Sequence, residues 1–255
     1  MMVTPIYITS FHRRHFTERC IREIRERTAP GTYEIHLYDN DSMTDKGDRD
    51  FAYGLLEQGL VTSVHLDSRN TGCLYPKLVF HAMTTEDTPF YVVNDADVFP
   101  PKLEPDWLSK MTEIMLSHPT LGMLAMQLPP QSFQGPNGYD DTIVYAKAVG
   151  NTFKMVRRET AALVLKSGSL RQELMKFGDD GALSTAMWLI GGRVGFCRDI
   201  WCYHAGQCAN WGYRPEELVK DPRKAGYGKP FTYEFEDEEK YLPKEQWRIR
   251  YEQNP

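Results

Sequence analysis

Two aspartates separated by one small residue, Asp95 and Asp97, stand directly after the apolar run Pro89-Phe90-Tyr91-Val92-Val93 and Asn94. Carboxylates at i and i+2 in a turn can both reach one hard cation, and oxygen ligands suit Mg²⁺ or Mn²⁺. Such an ion bridges the oxygens of a diphosphate and neutralises the charge that gathers on it as it departs. Taken alone, the pattern is also an ordinary strand ending, because Asp and Asn favour turns. A second acidic pair, Asp179-Asp180, opens a stretch of helical character, where carboxylates also cap a helix and complement its dipole. A glycine-marked strand and then His204-Ala205-Gly206 follow it. A carboxylate beside another carboxylate holds a proton more readily and is better poised as a base near neutral pH.

The elements that must position these groups are legible from periodicity. The run 5–9 is rich in β-branched and aromatic residues and reads as a buried strand, and 15–28 places Phe16, Cys20, Ile21 and Ile24 at helical spacing. Strands are expected at 33–38, 60–66, 89–93 and 121–126, with helices at about 49–58, 75–83 and 105–117 between them. Strands alternating with helices of this length indicate βαβ units and a mostly parallel sheet in an α/β domain. Ligands in such sheets bind beyond the carboxyl ends of the strands, which nominates 9–14, 39–42 and 95–97. The stretch 128–141, with three prolines and the amides Gln131, Gln134 and Asn137, reads as a substrate loop. After it come a strand-like 151–156, helices at 159–168 and about 180–190, and a strand region at 193–204. From 212 onward, ten acidic and nine basic residues accompany eight aromatics, which argues for a packed extension, since disordered tails are aromatic-poor.

Composition bounds the reading. With 255 residues, 41% hydrophobic and 25% charged, the chain is ordinary globular protein, long enough for a core without disulfide or metal staples. A net charge of −5 lends no global field to a polyanion such as nucleic acid. The five cysteines (Cys20, Cys73, Cys197, Cys202, Cys208) are odd in number and contain no CxxC pair, so free thiols in a reducing compartment are expected. No window approaches the roughly 18 apolar residues of a membrane span. The N-terminus carries no stretch of signal-peptide character, so the expectation is a soluble, cytoplasmic protein.

In their joint order, Thr9 at the end of the first strand, YDNDS (38–42), RNTG (69–72), VVNDAD (92–97), VRRE (156–159), GDD (178–180) and HAG (204–206) resemble the nucleotide-sugar glycosyltransferases of the GT-A fold, and family 2 in particular. The resemblance spans about 4–206. It implies a single GT-A-type, Rossmann-like domain over 1–211, with a nucleotide-binding half (1–101) and an acceptor half (102–211), followed by the extension 212–255. It also implies transfer of a sugar from a nucleotide-sugar donor, with UDP-sugars favoured, to an acceptor hydroxyl, in a reaction dependent on Mn²⁺ or Mg²⁺. The acceptor classes left open are a glycan or glycolipid, a protein, a small molecule and a modified DNA base. By the same resemblance Thr9 and Asp39 would bind base and ribose, Asn70 and Gly72 would line that pocket, and Asp95 would meet the ribose or the sugar. Asp97 would ligate the metal, with Asp95 and His204 as further metal or diphosphate contacts. Asp180, with Asp179 as the alternative, would be the general base of an inverting transfer. The chain departs from the family pattern with DNDS in place of Asp-Asp-Gly-Ser and Asp-Asp in place of Glu-Asp. It also lacks a QxxRW-like sequence, which points to one transfer per encounter rather than processive synthesis.

Other residues have structural and functional readings side by side. His12, Arg13 and Arg14 could meet phosphates or be solvated, Lys77 reads as a surface lysine, and Arg157 and Arg158 read as flanking a strand. Trp201, Trp211 and Tyr213 could stack on an acceptor, with core packing the first reading for Trp201. An Asp-dependent phosphohydrolase of haloacid dehalogenase type also runs a strand into DxD. That family wants Thr or Val two positions after the second Asp, where this chain has Phe99, and its motif opens the fold rather than following three strands. A binding module without turnover is the non-enzymatic alternative.

Overall fold

The computed structural model describes residues 2–11, 14–40, 43, 45–68, 78, 82, 87–128, 138, 140–167 and 180–204, and the side chains of 180 and 182 are not described. The chain opens with strand β1 (Thr4–Ser10), helix α1 (Arg14–Arg27), strand β2 (Tyr33–Asp39), helix α2 (Lys46–Glu57) and strand β3 (Ser63–Leu66). Strand β4 (Phe90–Asp95) and the two-residue strand β5 (Val98–Phe99) follow, then helix α3 (Trp107–Ser117) and strand β6 (Leu121–Gln127). Strands β7 (Ile143–Tyr145) and β8 (Lys154–Arg157), helices α4 (Arg158–Lys166) and α5 (Asp180–Leu189), and strands β9 (Arg193–Trp201) and β10 (Tyr203–His204) come next among the described residues.

Eight strands form one sheet in the order β3-β2-β1-β4-β8-β6-β9-β7. The pairs β3-β2, β2-β1, β1-β4 and β6-β9 are parallel, whereas β8 runs against both β4 and β6, and β7 runs against β9. The expected mostly parallel sheet is present, with two reversed strands that periodicity did not announce. β5 and β10 form a separate antiparallel pair.

The inner parallel strands β1, β4 and β6 read as nearly continuous apolar runs because both of their faces are covered. Ile6 and Ile8 of β1, with Ile35 and Leu37 of β2, face a core closed by Phe16, Cys20, Ile21 and Ile24 of α1 and by Trp107, Leu108, Met111 and Met115 of α3. Tyr7, Tyr91 and Val93 face the other side, where Ala161 and Val164 of α4 and Leu183, Ala186 and Met187 of α5 pack. The result is a three-layer sandwich with helices on both faces. Helix starts follow capping chemistry. Asp106 accepts from the N–H groups of Leu108 (3.0 Å) and Ser109 (3.1 Å), and Asp45 accepts from Asp48 N–H (3.0 Å).

Most expected elements fall within a few residues of the strands and helices above. Strand β8 starts later than the expected 151, because Phe153 adopts a left-handed backbone (φ 52°) and breaks the extended run before Lys154. The expected helix at 75–83 lies largely outside the described residues, as do most of 128–141 and all of 205–255. Leu78 and Ala82 are helical and buried. Cys20, Cys197 and Cys202 are buried free thiols, and burial pushes those of Cys20 and Cys197 above their ordinary pKa. Cys73 and Cys208 lie outside the described residues. Among the described residues no helix is long and apolar enough to cross a membrane.

Candidate active site

The parallel strands β1, β2 and β4 end together, and their last residues carry the polar groups. Ser10 lies opposite Asp39 and Thr9 opposite Asp95 in the ladder. Thr9 alternates with Tyr7, and Asp95 with Val93, so their side chains leave the sheet on the same face. The Thr9 hydroxyl donates to Asp95 Oδ1 at 2.7 Å and lies 3.3 Å from Asn94 O. Asn151, just ahead of β8, donates its Nδ2 to the same Asp95 oxygen (3.3 Å), and its carbonyl receives Asp95 N–H (3.1 Å). Asp39 is buried at the end of β2, and its carbonyl takes the N–H of Asp67 at 2.9 Å. At two strand spacings, Asp39 and Asp95 stand roughly 10 Å apart across the edge.

The turn between β4 and β5 is held from beneath by Asn94, whose side chain has no solvent exposure. Its Nδ2 donates to Asp95 O (2.9 Å) and Val98 O (3.0 Å) and contacts Cys20 Sγ (3.4 Å). Its Oδ1 accepts the N–H of Phe153 at 2.9 Å, which secures the left-handed residue opening β8. From above, Ala96 N–H donates to Thr9 O at 2.9 Å. Asp97 then leads into β5, which pairs with β10 so that His204 lies opposite Val98 and Tyr203 opposite Phe99. The Tyr203 and Phe99 rings stack at 5.8 Å, and the Arg19 guanidinium sits 4.3 Å from the Phe99 centroid. This small sheet brings His204 Nε2 to 3.5 Å from Asp97 Oδ1, with side-chain exposures of 16% and 6%.

Asp97 and His204, about 107 residues apart in sequence, are therefore neighbours, and Thr9 and Asp95 touch. No group of three or more His, Cys, Asp or Glu poised for a metal ion exists among the described residues. Cis positions on a six-coordinate ion with bonds of about 2.1 Å lie roughly 3 Å apart, close to the spacing of Asp97 and His204. Two protein ligands of this kind leave the other positions to ligand oxygens and water. Asp180 is the first residue of α5, the helix packed on the Thr9–Asp95 face. Asn70, Gly72 and Asp179 lie outside the described residues, as do His12, Arg13, Lys77, Trp211 and Tyr213.

Three of the basic residues with two readings, Arg14, Arg157 and Arg158, make contacts within the fold. Arg14 at the start of α1 pairs with Asp45 (3.2 Å) and with buried Asp48, tying α1 to α2. Arg157 donates to Leu121 O (2.9 Å), Met115 O and His118 O (3.1 Å), closing the carboxyl end of α3. Burial lowers its pKa from the ordinary guanidinium value. Arg158 pairs with Asp87 at 2.7 Å. Sequence reasoning missed Asn94 and Asn151. A polar side chain closing the apolar run just before DAD was the available signal for Asn94, and nothing in the sequence marked Asn151.

Solved structures share this architecture. GalNAc-T7 with UDP, GalNAc and Mn²⁺ superposes with a TM-score of 0.58 at 16% identity over 80% of this chain. The mannosyltransferase PcManGT from Pyrobaculum calidifontis in complex with GDP-Man and Mn²⁺ gives 0.58 at 14% over 88%, and Staphylococcus aureus TarS gives 0.56 at 15% over 86%. The fold is the GT-A fold. This chain spans 44%, 61% and 38% of those three proteins, less than two thirds of each. No family model matches the sequence, and no curated protein matches it.

Proposed function

We propose that the protein is a metal-dependent glycosyltransferase that moves a sugar from a nucleoside diphosphate to an acceptor hydroxyl. One observation carries the reading: a GT-A sheet ends in Thr9 and Asp95 in contact, beside a carboxylate–imidazole pair, Asp97 and His204, that the small β5–β10 sheet draws to 3.5 Å. The imidazole favours Mn²⁺ over Mg²⁺, because nitrogen ligands suit the transition ion better. UDP is the favoured nucleotide, supported by the sequence resemblance and by UDP in the GalNAc-T7 structure, with GDP the competitor named by the mannosyltransferase.

Asp97 and His204 would hold the ion, and Asp39, Asn70 and Gly72 would line the nucleoside pocket. Thr9 fixes one oxygen of Asp95, which presents that carboxylate to the ribose or the sugar. When bound, the metal would neutralise the charge that develops on the leaving diphosphate. Asp180, or Asp179 beside it, would take the proton of the acceptor hydroxyl as its oxygen attacks the anomeric carbon and the bond to the diphosphate breaks. A base on the side opposite the leaving group inverts configuration. The unit responsible is 1–211, with 212–255 as an extension, and the transferred group is a hexose. Fold likeness supports this reading over the phosphohydrolase.

Calorimetry of UDP, GDP and CDP, with and without Mn²⁺, tests it on wild type and Asp97→Ala. Metal-dependent binding of one nucleotide, lost in Asp97→Ala, is the expected result. Binding of none by the wild type would overturn the reading.

A further inference from the structure

Asn151, just ahead of the antiparallel strand β8, bonds Asp95 at the donor edge, and its chemistry is only half used there. Its Nδ2 is committed to Asp95 Oδ1 at 3.3 Å, and its backbone carbonyl to Asp95 N–H at 3.1 Å. The orientation of the amide is thereby fixed, because a flip would set its oxygen against a carboxylate oxygen. The amide oxygen Oδ1 then points away from Asp95, is shielded from water and has no hydrogen-bond partner among the described residues. Leaving a buried acceptor unpaired is unfavourable. The residue as a whole stays half-buried, so it borders solvent beside Asp95 rather than lying sealed in the core.

An acceptor with a fixed direction and no donor among the described residues calls for a ligand that brings an O–H or N–H. At the carboxyl edge of a GT-A sheet, next to the carboxylate assigned to ribose or sugar, that group is a hydroxyl. We propose that Asn151 is a specificity-determining residue of the donor site, accepting through Oδ1 a hydrogen bond from a hydroxyl of the nucleotide-sugar. The inference rests on the glycosyltransferase reading above and adds a recognition element to the same site. The hydroxyl can belong to the ribose or to the transferred sugar, and the two sources are separable by experiment.

The test is a cycle between protein and ligand. With Mn²⁺ present, affinities of UDP, 2′-deoxy-UDP, 3′-deoxy-UDP and UDP-GlcNAc are measured on wild type, Asn151→Ala and Asn151→Ser, both variants retaining the backbone carbonyl that holds Asp95. If the partner is a ribose hydroxyl, one deoxy analogue binds the wild type about two- to tenfold more weakly than UDP, and that penalty vanishes in both variants. If it belongs to the sugar, UDP binds all three proteins alike, and the variants lose about two- to tenfold in affinity for UDP-GlcNAc alone. A purely structural Asn151 would weaken every ligand by one common factor, and that pattern overturns the proposal. So does equal binding of every ligand by all three proteins. A wild type that binds no nucleotide removes the donor reading itself, and this inference with it, whereas a common factor on a binding wild type removes this inference only.

Discussion

Replacing Asn94 by alanine isolates what holds the DAD turn in place. The side chain donates to Asp95 O at 2.9 Å and Val98 O at 3.0 Å, and accepts from Phe153 N–H at 2.9 Å. Val98 O keeps the Cys20 thiol at 3.2 Å, so the sharper loss is at Phe153, whose N–H is left without that acceptor inside the protein. A stranded buried donor costs about 1–3 kcal/mol, and each lost hydrogen bond adds about 1 kcal/mol. Phe153 also carries a left-handed backbone, a conformation costing of order 1–3 kcal/mol that Asn94 helps to offset. The sum predicts a loss of roughly 3 kcal/mol for Asn94→Ala, toward the large end for one substitution. Urea unfolding followed by tryptophan fluorescence measures it, and Mn²⁺-dependent nucleotide binding of the folded fraction shows whether the turn still presents Asp97 to His204. Asn94→Asp sharpens the argument. It keeps an acceptor for Phe153 but sets a carboxylate oxygen against the carbonyls of Asp95 and Val98, so it should be no more stable than the alanine variant. A loss below about 1 kcal/mol for Asn94→Ala, or an aspartate variant as stable as wild type, would refute the bracing role.

The remaining predictions concern the frame around the site. In Gly195→Ala the new methyl would meet Val144 O at 2.9 Å and Ile143 Cγ2 at 2.5 Å across the β9–β7 pair, so a loss of about 1–3 kcal/mol is expected by chemical unfolding. Arg14→Ala leaves buried Asp48 without that guanidinium. Because Arg14 is 45% exposed, the expected loss is only about 1–2 kcal/mol, without loss of nucleotide binding. Asp140 gains stability from ionisation: burial alone would raise its carboxyl, but hydrogen bonds from Thr142, Tyr145 and Ile143 outweigh it and hold the group below the usual carboxylate range. Its contribution is present above the unfolded value of about 3.9 and fades as pH falls through the lower folded value. Asp140→Ala should therefore unfold about 1–2 kcal/mol more easily at pH 7, with the gap to wild type narrowing toward pH 3. A gap of the same size at both pH values would contradict that.

The sheet was legible where its strands are buried on both faces, and the helices where one face is buried. β1, β2, β4 and β6 announce themselves as apolar runs, and α1 by Phe16, Cys20, Ile21 and Ile24 at helical spacing. β5 and β7, of two and three residues, are too short to show any period. The direction of β8 is set by what it pairs with, and periodicity is blind to direction. The site divided along the same line. Asp95 and Asp97 were visible as a local pattern, and His204 through a motif that resemblance supplied. Asn151 was invisible because its role exists only once β8 lies beside β4. Asn94 read as one more polar residue ending a strand, although it is fully buried and bonds groups from residues 95, 98 and 153.

The spacing of the two aspartates has a cause beyond metal chemistry. Asp95 is the last residue of β4 in the large sheet, and Asp97 stands at the entry to the small one, so Ala96 is where the chain leaves one sheet for the other. Its N–H is held by Thr9 O, and its methyl is 1% exposed in the core beneath α1. A larger side chain there would have to displace packed atoms, and the displacement would fall on the short link that sets Asp97 against His204. The two carboxylates consequently serve different masters. Thr9 and Asn151, from β1 and the approach to β8, orient Asp95, whereas Asp97 is placed by the pairing of β5 with β10. On the function proposed above, recognition of the donor and retention of the ion would depend on separate pieces of the fold, joined by Ala96, whose side chain is packed in the core.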